Sequence, residues 1–169
     1  MKDNTVLTPH FELREFTESA TAMKQGIANV PPPEAVENLR RLCTHTLEPL
    51  REKLGLPIII TSGFRTKALN EILVHAARKS QHMAGQAADF YVTQGPVQGS
   101  RVQGSRELLI QAFRLIITEP EIDFDQLIIY PSFIHVSYVS KEKNRHQITK
   151  ANGNGTYCAL SRAQALALV

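Results

Sequence analysis

Two periods of apolar residues run along this chain. After the Pro31-Pro32-Pro33 run, Val36, Leu39, Leu42, Cys43 and Leu47 recur at helical spacing and predict a helix with one buried face. Pro49 should kink or split that helix near Glu48, because the residue before a proline is pushed away from helical geometry. Pro57 to Thr61 is a short β-branched run that reads as a strand with proline at its first position. Thr66 to Lys79 reads as a further helix. From Ala87 to Val92 the period changes to two: Ala87, Asp89 and Tyr91 alternate with Ala88, Phe90 and Val92, so Asp89 points away from the more apolar face. Ser105 is a fitting N-cap for a helix over Arg106 to Thr118, striped by Leu109, Ala112, Phe113 and Ile116.

Phe124 to Tyr130 and Phe133 to Val139 predict a hairpin turning at Pro131-Ser132. In that register Tyr130 faces Phe133, Ile128 faces His135 and Gln126 faces Ser137, so Gln126 and Tyr130 share the face of His135 and Asp125 takes the other. A one-residue bulge would reverse this. Beyond it, Asn152-Gly153-Asn154-Gly155 is a turn-rich link, and Leu160, Ala163, Ala165 and Leu166 to Leu168 make a closing helix or packed end. The mixture of helices and antiparallel strands indicates an α+β fold. The 169 residues suit one domain, with its core at about 11–140 and an extension over 141–169.

The candidate chemistry lies in Ser80-Gln81-His82-Met83-Ala84-Gly85-Gln86-Ala87-Ala88-Asp89 and, well downstream, Phe133-Ile134-His135-Val136-Ser137. Alone, His82 reads as a loop histidine, Asp89 as a turn cap and His135 as a hydrogen-bonded strand residue. Together they supply two imidazoles and a carboxylate, a donor set that suits Zn²⁺ with a fourth position open for water. Gly85 and the small alanines let the loop bearing His82 fold closely against the Asp89 strand.

The segment resembles the zinc D-Ala-D-Ala carboxypeptidase and dipeptidase family, whose signature Ser-x-His-x-x-Gly-x-Ala-x-Asp is met at Ser80, His82, Gly85, Ala87 and Asp89. Thr61-Ser62-Gly63-Phe64-Arg65-Thr66 with Leu69-Asn70 resembles the family's Ser-Gly-Tyr/Phe-Arg segment and the helix after it. The likeness is strongest over residues 57–139, and Phe11 to Leu56 resembles the leading segment of peptidoglycan-directed members. It implies a small, mostly antiparallel sheet flanked by helices, a hedgehog-like fold, with zinc held by His82, Asp89 and His135. Arg65 would bind or polarise the substrate, as a planar, permanently charged fork can, and Ser80 would line the substrate site. The implied activity is hydrolysis of amide bonds in D-amino-acid-containing peptidoglycan peptides by attack of a zinc-bound water, as carboxypeptidase or endopeptidase.

The chain departs from the family where a Glu or Asp shortly before the last histidine should handle the water's proton. Ile128 to Ile134 contains no acid. Tyr130 or Gln126 could stabilise an oxyanion, but neither is a good base at neutral pH. Asp125, Asp123, Glu71 or a partner group could substitute. The alternative is a catalytically silent, zinc-containing module that binds cell wall or belongs to a phage structure. A second departure replaces the family's Gly-Gly turn by Leu73 to Lys79, read as a longer helix, with His75 either solvated or approaching the cleft. Val97 to Arg101 is repeated as Val102 to Arg106, a loop lengthened by local duplication.

The net charge of +3 is spread over 19 basic and 16 acidic residues, a mild basicity that favours approach to an anionic polymer such as cell wall. There is no basic run interleaved with aromatics and no zinc-finger spacing, so no nucleic-acid partner is expected. Cys43 and Cys158 form no metal motif, and Cys43 belongs to the apolar helical stripe. The absence of Cys-x-x-Cys and of a glycine-rich phosphate loop excludes redox and nucleotide-binding readings. His10, His45 and His146 have no motif context and are taken as surface residues. Met1 to Thr5 leads into no long apolar run, so neither a signal peptide nor a membrane span is expected. That implies synthesis in the cytoplasm and access to the wall by another route, such as lysis-dependent release of a phage endolysin.

Overall fold

A computed structural model describes residues 5–74, 76–95 and 105–168. A short ribbon of β1 (Val6–Thr8) and β2 (Phe11–Glu12) leads into α1 (Leu13–Thr17) and α2 (Ala20–Lys24). Pro33 opens α3 (Pro33–Leu42), which runs through a π-helical turn (Cys43–Leu47) into α4 (Glu48–Leu54). Then come β3 (Ile58–Ser62), α5 (Lys67–Ile72), a 3₁₀ turn (Gln81–Ala84), β4 (Ala87–Val92) and α6 (Arg106–Thr118). The chain closes with β5 (Gln126–Ile129), β6 (Ile134–Ser137), β7 (Gln147–Ala151), β8 (Tyr157–Ala159) and α7 (Arg162–Leu166). The main sheet has the order β3-β4-β6-β5-β7-β8 and is antiparallel except for the β5–β7 pair. Together with the flanking helices it makes a mixed α+β domain. None of the described helices is long and apolar enough to cross a membrane.

The alternation in β4 works as its pattern predicts: Ala88, Phe90 and Val92 are fully buried, as are Leu127, Ile134 and Val136 of the neighbouring strands. They pack in one core with Leu39, Leu42, Leu47 and Leu50 of the α3–α4 rod and Leu109, Phe113 and Ile116 of α6. Ser105 caps α6, its hydroxyl oxygen accepting from Leu108 N–H. Cys43 is buried in this core, and both cysteines are free.

Two expectations change and one is met in an unexpected form. Pro49 divides the α-helix at Glu48, but through a π-helical turn that keeps the chain helical. It has no N–H for the carbonyl of His45, and the π-helical turn hands that carbonyl to Asp123 N–H at 3.0 Å while Glu48 N–H reaches back to Cys43 O. The helix expected to continue to Lys79 ends at Ile72. Leu73 turns extended, and the buried Asn70 side chain donates to Ala77 O at 2.9 Å, drawing the chain back on itself. His75 lies outside the described residues, as does 97–104 of the duplication. The stretch after 140 is no appendage: β7 lies in the sheet beside β5, β8 extends it, and Asn152 to Gly155 is the link between them.

Two glycines let the backbone close up around the site. A Cβ on Gly63, just after β3, would lie 2.5 Å from Phe16 Cα in α1, and Phe64 N–H donates to Phe16 O. Gly85 ends the 3₁₀ turn in left-handed geometry (φ +69°), where a Cβ would lie 2.3 Å from the Ala35 carbonyl oxygen of α3. The turn is fastened to the same helix by Asn38 Nδ2 donating to Ala84 O. Gly85→Ala should therefore combine left-handed strain with backbone overlap and lower the unfolding free energy by about 2–4 kcal/mol. Urea denaturation reads that loss directly.

Candidate metal centre

The cross-strand register puts Asp89 of β4 directly opposite His135 of β6, with Ser62 of β3 on one side and Ile128 of β5 on the other. His82 comes from the 3₁₀ turn, where Ser80 Oγ accepts from His82 N–H. Its ring reaches the row because Gly63 O accepts from Nδ1 at 2.6 Å. A carbonyl oxygen can only accept, so Nδ1 carries the hydrogen and the Nε2 lone pair faces Asp89 and His135.

His82 Nε2 lies 3.3 Å from both Asp89 Oδ1 and His135 Nδ1, and those two are 2.8 Å apart. A tetrahedron of metal–ligand bonds of about 2.0–2.1 Å has edges of about 3.3 Å, so two of the three separations match such an edge and the Asp89–His135 pair lies closer. Among the described residues this is the one cluster of His, Cys, Asp and Glu with converging donors, all within 4.8 Å of one another. Burial, the largest influence on His82, lowers its pKa and keeps the imidazole neutral and able to donate its lone pair. Burial alone would raise Asp89, but the charge and hydrogen bonds that its two histidines offer when protonated hold its carboxyl far below the usual range. The donor set and its electrostatics fit a divalent cation.

Arg65, expected to contact substrate, has work inside the protein. Nη2 donates to Asp89 Oδ2 at 2.9 Å, and Nε and Nη2 donate to Ser62 Oγ at 3.0 and 2.8 Å. The carboxylate thus offers Oδ1 to the cluster while the guanidinium fixes Oδ2, and Arg65 still lines the cleft beyond.

That cleft has a volume of about 980 Å³ and also exposes Ser80, Gln126, Tyr130 and Phe133. Ring stacking on Phe133 at 4.2 Å fixes Tyr130, whose hydroxyl meets that of Tyr157 at 3.2 Å. Burial and the Tyr157 contact push the Tyr130 pKa up, so it stays a neutral donor well above pH 7. Gln126 Nε2 donates to Gln147 Oε1. The hairpin has the expected Ile128–His135 pairing.

Asp125 departs from expectation. The N–H groups of Asp125 and Gln126 both turn to Ser137, one to its carbonyl oxygen at 2.7 Å and one to Oγ at 3.1 Å. The Asp125 carboxylate also meets Ser137 Oγ, at the edge of the cleft. There Arg145 engages it. Of the other carboxylates considered as bases, Asp123 pairs with His146 and Glu71 with Lys67, and neither lines the cleft. His10 and His45 lie at the surface, paired with Glu48 and stacked on Tyr138.

Sequence reasoning missed Gln81, Arg145, Gln147 and Tyr157 at this site. The spacing of Lys141, Lys143 and Arg145 is a signal that could have pointed to Arg145, but Tyr157 reaches the cleft only through a parallel β5–β7 pairing that no local pattern announces.

This arrangement, an open cleft over a largely buried His-Asp-His cluster, suits metal-assisted chemistry on a bound substrate. The family model described as Peptidase M15 matches residues 9–112, more than half of the chain, and the protein belongs to that family. The matched span holds Arg65, His82 and Asp89 but stops short of His135. No curated protein matches the chain.

Burial would raise the Asp125 carboxyl, but hydrogen bonds from Arg145 and Gln81 bring it down to about 2 from an ordinary 3.8. A carboxylate with a depressed folded pKa stabilises the fold above its unfolded pKa and loses that contribution as pH falls toward the folded one. The stability gap between wild type and Asp125→Asn should therefore shrink by about 1–2 kcal/mol between about pH 4 and about pH 2, a range reduced because Arg145 is half exposed. Urea titrations of the metal-free proteins at several pH values measure it.

Proposed function

We propose that the protein is a zinc-dependent peptidase that hydrolyses amide bonds in D-amino-acid-containing peptides of peptidoglycan. The observation that carries this reading is the convergence of His82 Nε2, Asp89 Oδ1 and His135 Nδ1 at the floor of an open cleft, in a chain of the Peptidase M15 family. Zinc held by these residues supplies Lewis acidity toward the scissile carbonyl and an activated water.

The chain's own groups support an anionic peptide as substrate. The cleft is lined by Arg65, Lys79, Lys143 and Arg145 against two carboxylates, Asp89 and Asp125, each already paired with an arginine. Lys79 and Lys143 are left to attract the carboxylates of a stem peptide. Tyr130 and Gln126 line the cleft and would serve as hydrogen-bond donors to a developing oxyanion, with Tyr157 meeting the tyrosine hydroxyl. Arg65 acts mainly by fixing Asp89, and Ser80 by shaping the turn that presents His82 and by lining the cleft.

A second reading, a silent zinc-containing wall-binding or phage structural module, is favoured by one observation. Among the described cleft residues no carboxylate is free to act as general base, a group worth about 10²–10⁴ in rate.

Zinc-loaded protein incubated with purified muropeptides should release a defined product by mass spectrometry: one C-terminal residue for a carboxypeptidase, a severed crosslink for an endopeptidase. Chelation should abolish release, and His82→Ala should lower it by more than about 100-fold, beyond the usual cost of an outer-shell change. Folded, zinc-bearing protein that binds muropeptides without cleaving them, and in which chelation lowers only affinity and melting temperature, would establish the silent module instead.

A further inference from the structure

Asp125 is only 1 % exposed, and its carboxylate ties together three segments. Oδ2 accepts from Gln81 Nε2 at 2.9 Å and from Ser137 Oγ at 3.4 Å. Oδ1 accepts from the Arg145 backbone N–H and Nε at 2.9 and 2.8 Å, and Arg145 Nη2 closes the fork on Oδ2. Arg145 also reaches Gln81 Oε1 at 3.5 Å. Gln81 precedes His82, and Ser137 lies two residues beyond His135 on β6. The carboxylate therefore holds the turn carrying one histidine against the strand carrying the other.

The delivery of Arg145 is itself constrained. His146 adopts a left-handed backbone (φ 51°), the one such non-glycine residue among those described. That conformation is held by His146 Nε2 on Asp123 Oδ1 at 2.8 Å and by Gln147 N–H on Asp125 O at 2.9 Å. Strain of this kind persists only where the surroundings over-determine it. A buried carboxylate is likewise costly unless its partners satisfy it. Both features converge on one geometry, in which Asp125 points at the elements that bear the histidines.

We propose that Asp125 and Arg145 form a clamp that positions His82 relative to His135, so that a segment beyond the family match sets the metal affinity of the site. Neither residue donates to the cluster; both act through Gln81 and Ser137. Metal–ligand distances keep within about 0.2 Å of their usual values, so releasing Gln81 and letting its turn drift loosens the centre without removing a ligand.

The inference rests on the metal-centre reading but not on peptide hydrolysis, and it is tested without substrate. Zinc affinity is measured by competition with a chromophoric chelator, and ligand geometry by the visible spectrum of the cobalt(II)-substituted protein. Arg145→Met and Asp125→Asn should each weaken zinc binding by about tenfold, the scale of outer-shell changes, and alter the cobalt spectrum. Arg145→Lys should recover part of the loss. Gln81→Ala should add little in the Arg145→Met background, because both act through one contact chain. Ile116→Val, a core change in α6, should lower the melting temperature while leaving zinc affinity and spectrum unchanged. Wild-type affinity and spectrum in folded Arg145→Met and Asp125→Asn would overturn the clamp, as would an equal loss in Ile116→Val. The wild-type zinc affinity measured alongside tests the metal-centre reading itself, so the two failures are distinguishable.

Discussion

The direct opposition of Asp89 and His135 across β4 and β6 is the constraint on which the rest of the site depends. Neighbouring strands bring facing side chains within a few ångströms, and a slip of one residue would turn one of the pair into the core. The register is held by what lies on the reverse face: Ala88 and Phe90 against Val136 and Ile134, all fully buried. The apolar pattern that folds the sheet also aims the polar pair into the cleft.

His82 is brought to that pair by a different device. Its turn is pressed on α3 at Gly85 and Asn38, and its ring is oriented by the carbonyl of Gly63, whose own backbone is pressed on α1. Arg65 completes the arrangement by engaging the carboxylate oxygen that the histidines leave free. The small N-terminal helices are thus the wall against which the site is assembled. β7 and β8 contribute Gln147 and Tyr157 to the lining of the cleft, and the segment before β7 contributes Arg145.

Much of this was legible in the residues because short-range physics governs it. The alternation in β4, the Ser105 cap of α6 and the Ile128–His135 pairing each follow from local periodicity or turn chemistry. The three converging side chains were legible because their spacing resembles a family signature; helix and strand propensity alone would not have joined them. What was not legible depends on contacts between distant segments. The end of α5 at Ile72 is set by the Asn70 amide, the orientation of the Asp125 carboxylate by Ser137 and Arg145, and the π-helical passage past Pro49 by Asp123. β7 carries a single large apolar residue, Ile148, and a parallel partner far back in the chain, so its pattern did not announce a strand.

X-ray absorption fine structure of the zinc-loaded protein at the zinc edge tests the three-ligand centre directly. One zinc per chain is expected, with only nitrogen and oxygen neighbours at about 2.0–2.2 Å and imidazole scattering from two histidines. Sulfur at about 2.3 Å, or a shell of oxygens without imidazole, would place the metal elsewhere and contradict the assignment of His82, Asp89 and His135.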